Sequence, residues 1–256
     1  MTSAIIMGDA MTSPTGPSGA RCVRAVIFDA GNTLVRMNYA VIARYLSERG
    51  YAVSDALVHE AELRARVRLD PHLAPAASTE SGDIHARYLG YVLDHLGITA
   101  TGEIEAIADW RRSYNPPVSV WDIADPEAAA ALGRVKAAGL VAGVISNSNG
   151  SVRSILETLG LARHLDFVID SSLVGVEKPD RRIFEMGLAQ AGVGPDEAVY
   201  VGDLYSVDVL GARGAGITAV LLDPRGFWGT RDCLAAAGLA EAVRLIIDDL
   251  GAVSSG

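Results

Sequence analysis

The sequence predicts an α/β fold built on a parallel sheet. Five apolar, β-branched-rich runs read as buried strands: Val23–Asp29, Leu140–Ser146, Phe167–Asp170, Ala198–Asp203 and Thr218–Asp223. Helical patterns of ordinary length, Ser151–Leu159, Asp180–Ala191 and Ser206–Ala215, fill the gaps between the last four. Strands alternating with helices imply βαβ units. Several of the runs stop abruptly at a polar residue, as strands do when they deliver a side chain to the carboxyl edge of a sheet, where open α/β sheets bind ligands.

The first run, Val26-Ile27-Phe28, ends in Asp29 and opens into the small-residue loop Ala30-Gly31-Asn32-Thr33-Leu34. About a hundred residues then separate it from the second run, far beyond a normal crossover. Helical periodicity occupies residues 37–69 (Ile42, Tyr45, Leu46) and 83–113 (Leu89, Val92, Leu93, Leu96), with a break at Pro71 and Pro75 and a close at Pro116-Pro117. We therefore expect a small helical domain at 37–117, inserted after the first strand and sitting over the strand ends. The core comprises 21–36 and 118–256. Asp125-Pro126-Glu127 reads as the capped start of a helix, with Pro in the first turn, leading into the second strand.

The chain has 256 residues, half of them hydrophobic, a net charge of −9 and no basic run. That is enough for one large domain or a core carrying an insertion. The acidic balance argues against a nucleic-acid or anionic-membrane surface. No apolar stretch reaches the roughly 18 residues of a membrane span. Residues 1–20 are rich in Ser, Thr, Gly and Pro and lack a basic start followed by a long apolar segment. They read as a disordered tail rather than a signal peptide, with Met7 and Met11 as alternative starts, and the expected setting is cytoplasmic. Cys22 and Cys233 form neither a metal spacing nor a disulfide framework and read as buried free thiols. The five histidines show no paired ligand spacing.

Three later segments supply what a nucleophilic carboxylate at Asp29 needs. Val144-Ile145-Ser146-Asn147-Ser148-Asn149-Gly150 places a hydroxyl and free loop amides at a helix start, an anion site. Glu177-Lys178-Pro179-Asp180 adds a compact cation for the same anion. Lys178 is one of only two lysines among 22 basic residues. Val201-Gly202-Asp203 with Asp208 five residues on offers hard oxygen ligands that suit Mg²⁺. Taken alone, Asp29 could equally be a turn residue, Lys178 solvated and Asp208 a helix cap.

In order and spacing, the four segments resemble the haloacid dehalogenase-like hydrolase superfamily over about Val23 to Asp223. The resemblance implies a Rossmann-like core with a central first strand and a mobile helical cap. It implies Asp29 as nucleophile and Ser146 and Lys178 on the transferring group, with Asn32, Thr33 and Asn147 joining them as substrate-binding residues. It further implies Mg²⁺ held by Asp29, Asp203 and the Gly31 carbonyl, with Asp208 in direct or indirect contact. The expected partner is a small phosphorylated metabolite; a homodimer is left open.

One departure stands out. Most phosphatases of the family carry a second aspartate two residues after the nucleophile, as general acid and base; here that position is Gly31. Loss of such a group costs about 10²–10⁴-fold in rate. A good leaving group needs less help, and Tyr114, Glu80, His72 or His85 of the insertion are candidate donors. Haloacid dehalogenases have a first motif close to Asp29-Ala30-Gly31-Asn32-Thr33, yet work without metal and lack the Gly-Asp…Asp pattern. Phosphonoacetaldehyde hydrolases need a cap lysine, and Arg36 to Val135 contains none. The leading expectation is a Mg²⁺-dependent phosphatase acting through an aspartyl-phosphate. The alternatives are a 2-haloacid dehalogenase and a non-catalytic phosphate-binding or regulatory protein. Near the insertion's return, Trp110, Arg111, Arg112, Tyr114 and Asn115 are candidates for substrate contact, although adjacent arginines on a helix point differently. Trp121 and Trp228 read as packing residues.

Overall fold

The computed structural model describes residues 22–73, 78–100 and 102–250. The expected tail at 1–20 and Pro75 lie outside them. In chain order the elements are β1 (Ala25–Phe28), β2 (Val35–Arg36), α1 (Tyr39–Glu48), α2 (Asp55–Leu69), α3 (Gly82–His95), α4 (Glu103–Ser113), β3 (Ile123–Ala124), α5 (Ala128–Ala137) and β4 (Val141–Ser146). There follow α6 (Val152–Thr158), β5 (Phe167–Asp170), α7 (Ser171–Val174), α8 (Arg181–Ala191), β6 (Ala198–Gly202), α9 (Leu210–Gly214), β7 (Thr218–Leu222), β8 (Leu234–Ala236) and α10 (Leu239–Arg244).

The main sheet runs β5-β4-β1-β6-β7-β8, parallel throughout. β1 lies between β4 and β6, with Phe28 level with Val144 and Val201. All four of its residues are buried, as a parallel strand covered on both faces requires. Alternation divides them. Val26 and Phe28 join a cluster with Leu132, Leu156 and Val243 on one face. Ala25 and Ile27 join Phe184, Leu188 and Tyr200 on the other. The five expected strands are present, Phe167–Asp170 with the expected bounds and the other four shorter by one or two residues at an end. The expected helix at Ser206–Ala215 divides into a wide helical turn over Tyr205–Val209 and the short α9. Pro126 lies before α5 rather than in its first turn, because Asp125 closes a turn there by accepting the Glu127 N–H at 2.8 Å.

Helices α1–α4 lie between β2 and β3, which pair antiparallel so that the chain leaves and returns at one point. They share an apolar cluster of their own, with Ile42, Leu46, Leu93 and Ile107 at its centre. Arg49 closes it with a forked pair to Glu103, both contacts at 2.8 Å. This group is docked on the sheet's carboxyl edge through polar contacts. The Ser206 N–H donates to Asp70 at 2.8 Å, and Glu177 accepts from Ser78 Oγ at 2.7 Å and the Thr79 N–H at 3.0 Å. Among the described residues no helix is long and apolar enough to cross a membrane.

The thiols are not buried as expected: Cys22 is exposed and Cys233 half-buried. Cys22 precedes β1 outside the sheet, and Cys233 precedes the edge strand β8.

Gly143 of β4 lets the Phe167 ring of β5 lie across it; a Cβ there would stand 2.0 Å from the ring. Overpacking of this kind costs about 1–3 kcal/mol. Gly143→Ala is expected to lower stability by that amount in denaturant unfolding, and Phe167→Leu on the same background to restore part of it.

Candidate active site

β1, β4 and β6 end side by side, so Asp29, Ser146 and Asp203 reach the same edge because their strands are in register. Backbone contacts hold the edge tight, the Asp29 N–H donating to the Val201 carbonyl at 2.8 Å. Asp29, Gly31, Ser146, Asn147, Lys178 and Asp203 line one cavity of about 980 Å³, roofed by the α1–α4 group.

Lys178 is the hub. Its Nζ, 3% exposed, donates to Asp29 Oδ1 at 2.6 Å, Asp208 Oδ1 at 2.8 Å and the Tyr200 hydroxyl at 3.0 Å. Burial alone would lower the affinity of this ammonium for its proton; the Asp208 and Asp29 carboxylates outweigh it and hold it well above the ordinary lysine range. Burial pushes Asp29 up to about 6, against the opposing pull of Lys178 and with Asp208 adding to the rise. Asn147 fixes Lys178 through the backbone: its Oδ1 accepts the Lys178 N–H at 2.8 Å and its Nδ2 donates to the Lys178 carbonyl at 2.9 Å. The Asn147 side chain, expected on the anion, is thus committed to positioning the cation.

Asp208 accepts at both oxygens. Oδ1 takes Lys178 and the Tyr200 hydroxyl; Oδ2 takes the backbone N–H groups of Asp203 and Leu204 at 3.1 and 3.0 Å. Gly202 makes this possible, since a Cβ there would stand 2.4 Å from Asp208 Cγ. Asp203 meets a residue the sequence reading did not single out: its Oδ2 accepts from Arg66 Nη1 of α2 at 2.9 Å. Arg66 also forks onto Glu62, one helical turn earlier, which is fully buried. Glu62 in turn accepts from Asn32, Tyr39 and Tyr88. An i,i+4 Glu–Arg pair was visible in the sequence, but its partner 137 residues away was not. Burial drives Asp203 well above the ordinary carboxylate range, Arg66 opposing and Asp29, Asp208 and Glu62 adding.

Asn32 lines the cavity with φ 54°. Thr33 does not line it. The Thr33, Leu34 and Val35 N–H groups all converge on the Ala30 carbonyl, and this tight loop turns Thr33 inward until it is fully buried. Ser146 Oγ donates to the Asn147 carbonyl at 3.3 Å and lines the cavity. A Cβ on Gly31 would lie 3.6 Å from the Trp121 ring, so the indole covers the space a side chain there would enter. Of the candidate proton donors, Glu80 and His85 line the cavity, 3.5 Å from each other. His72 instead meets the Tyr91 hydroxyl, and neither His72 nor Tyr114 is on the cavity wall. Trp228 is buried in the core, as expected.

The carboxylates of Asp29, Asp203 and Asp208 each offer an oxygen within 4.8 Å of the others. With Glu62 they make four buried carboxylates against two buried cations, Lys178 and Arg66. Formally two negative charges are in excess, and because burial draws Asp29 and Asp203 toward their protonated forms a divalent ion would be the complement that keeps both ionised. Such a donor set of hard oxygens fits Mg²⁺.

Removing Lys178 leaves Asp29 and Asp208 facing each other unscreened. Lys178→Met is expected to cost about 3–5 kcal/mol at neutral pH. Protonating Asp29 relieves the repulsion, and since Lys178 lowers Asp29 in the wild type to about 6 its loss raises that acid further, so the deficit, followed by thermal unfolding, shrinks as pH falls, beginning above 6.

A family model described as haloacid dehalogenase-like hydrolase matches residues 23–216. Over 208 residues the chain is 30% identical to haloacid dehalogenase-like hydrolase domain-containing protein 3 of Mus musculus, covering 78% of this chain and 82% of that protein. It is 43% identical over 99 residues to a phosphoserine phosphatase of Thermus thermophilus, covering 38% and 40% of the two. Among solved structures, a 2-haloacid dehalogenase of Pseudomonas syringae pv. Tomato superposes with a TM-score of 0.53 at 26% identity, covering 88% of this chain and 98% of that one.

Proposed function

The chain belongs to the haloacid dehalogenase-like hydrolase family, and on that premise we propose that it is a Mg²⁺-dependent phosphatase of small phosphorylated metabolites, acting through an aspartyl-phosphate at Asp29. The observation that carries this reading is the doubly negative, buried cluster of Asp29, Asp203 and Asp208 with Lys178 at its centre. The similarity to a phosphoserine phosphatase supports the reaction class.

Asp29 and Asp203, with the Gly31 carbonyl, would hold the ion, which supplies charge neutralisation to the phosphoryl oxygens. Asp208 positions: it carries the Asp203 backbone and steers Lys178. Asp29 attacks phosphorus while the bond to the leaving oxygen breaks, and Lys178 and Ser146 hold the equatorial oxygens. Water then cleaves the acyl phosphate and frees Asp29. No side chain at Gly31 can protonate the leaving oxygen, which leaves Glu80 and His85 on the cavity wall as the candidate donors and otherwise favours leaving groups that depart as stable anions. The docked α1–α4 group shields the intermediate from bulk water. Free thiols fit a cytoplasmic setting.

A 2-haloacid dehalogenase is the second reading, favoured by Gly31 and by the 26% identity to such an enzyme. Phosphate release with Mg²⁺ and with chelator, run beside chloride release from 2-haloacids, decides between them. Mg²⁺-dependent phosphate release supports the phosphatase; chelator-insensitive chloride release overturns it.

Asp29→Asn is expected to abolish turnover while leaving the circular dichroism spectrum unchanged; an active variant would remove Asp29 as nucleophile. Metal binding needs both carboxylates ionised, so with Asp29 near 6 and Asp203 also held above the ordinary carboxylate range Mg²⁺ affinity should weaken by at least about tenfold per pH unit below 6. Calorimetric titration of the wild-type protein reads this directly.

A further inference from the structure

Arg111, near the end of α4, lies on the wall of the same cavity as Asp29 and Lys178. Its neighbour Arg112 stands at the rim, 73% exposed and paired with Asp109. Both arginines line the cavity, and Arg111 is the less exposed of the two. Its Nε–H is shut off from solvent and meets no acceptor, and among the described residues its guanidinium has no ion pair. The acid whose field reaches it, Glu80, is already beside His85 at 3.5 Å. A guanidinium stays charged in proteins. Leaving a buried charged donor unmatched is costly, and burial without a counter-ion weakens Arg111's hold on its proton.

The surroundings hold this residue still. The Arg111 carbonyl accepts from Ser119 Oγ at 2.9 Å. Trp110 stacks on Tyr45 at 4.3 Å, and the Tyr114 N–H closes the helix on the Trp110 carbonyl at 2.9 Å. The result is a guanidinium with no ion pair among the described residues, of the kind that binds carboxylate or phosphate, on the wall of a cavity of about 980 Å³. That is room for a ligand well beyond one phosphoryl group.

We propose that Arg111 is a specificity residue that binds a second anionic group, a carboxylate or a second phosphate, of the substrate whose phosphoryl group meets Asp29 and Lys178. This rests on the phosphatase reading above. The enzyme then selects phosphorylated acids or bisphosphates over phosphate esters that carry no second anionic group.

Three substrates with one carbon skeleton test it: glycerol 3-phosphate, 3-phosphoglycerate and glycerol 1,3-bisphosphate. Wild-type kcat/KM should favour one or both of the last two over glycerol 3-phosphate. Arg111→Gln should cut that preference ratio by about 10- to 100-fold, and Arg111→Lys, which keeps charge without the fork, by less. The substrate whose ratio falls furthest identifies carboxylate or phosphate as the group bound. A wild-type enzyme without preference, or a ratio untouched by either substitution, overturns the proposal. Calorimetry on Asp29→Asn protein repeats the comparison without turnover. Arg111-dependent tighter binding of either compound with a second anionic group supports the site even where no phosphate is released, so the two readings fail separately. Equal or absent binding of all three compounds overturns it.

Discussion

One buried ammonium organises the carboxyl edge of the sheet. Lys178 touches Asp29, Asp208 and Tyr200 at once, and each contact needs a separate part of the fold in place. Asp29 arrives from the central strand, Tyr200 from its neighbour, and Asp208 from the turn beyond. Burying a cation here is tolerable only because two carboxylates surround it. Burying those carboxylates so close together is tolerable only because of the cation. The small residues nearby follow from that mutual dependence. Gly202 has no side chain because Asp208 already fills the space. The Asn147 amide takes up both backbone groups of Lys178 and so fixes where the side chain starts.

The same electrostatics reach into the helical group above. Arg66 of α2 lies on Asp203 and is itself forked onto Glu62, which gathers two tyrosines and Asn32 around it. Asn32 belongs to the loop that follows Asp29. The roof is therefore tied to the floor through charge and hydrogen bonds at the reacting edge. At their hinge, β2 and β3 share only two residue pairs. Apolar contact adds to these ties, with Leu69, Leu73 and Ile84 of the helical group packed on Val207 and Leu204.

Gly31 separates this chain from relatives that carry a second acid. No positive φ demands glycine there, and the space in front of it belongs to the Trp121 ring. The site is thus rich in groups that bind and polarise an anion and poor in groups that give a proton to what leaves. That balance points the chemistry toward reactive esters and toward recognition of the rest of the substrate, where the unmatched Arg111 lies.

Elements buried on both faces were legible in the sequence, because a parallel strand in a core must be a continuous apolar run. Phe167–Asp170 could be read to the residue. Asp29, Ser146 and Asp203 stood out because each ends such a run, and Lys178 because it precedes Pro179 in a chain with only two lysines. The edge strand Leu234–Ala236 and the paired dipeptides of β2 and β3 carry no pattern long enough to register. The short-range pattern was silent on direction and partner as well. It could not turn Thr33 inward, commit the Asn147 amide to a lysine backbone, or leave Arg111 without an ion pair while Arg112 meets Asp109. Nor could it bring Arg66 onto Asp203 across 137 residues. Local sequence determines which segments must be buried, because hydrophobic periodicity is a local property. Which polar atoms meet inside is decided only when distant segments close on one another and water leaves, for only then must every buried charge find its partner.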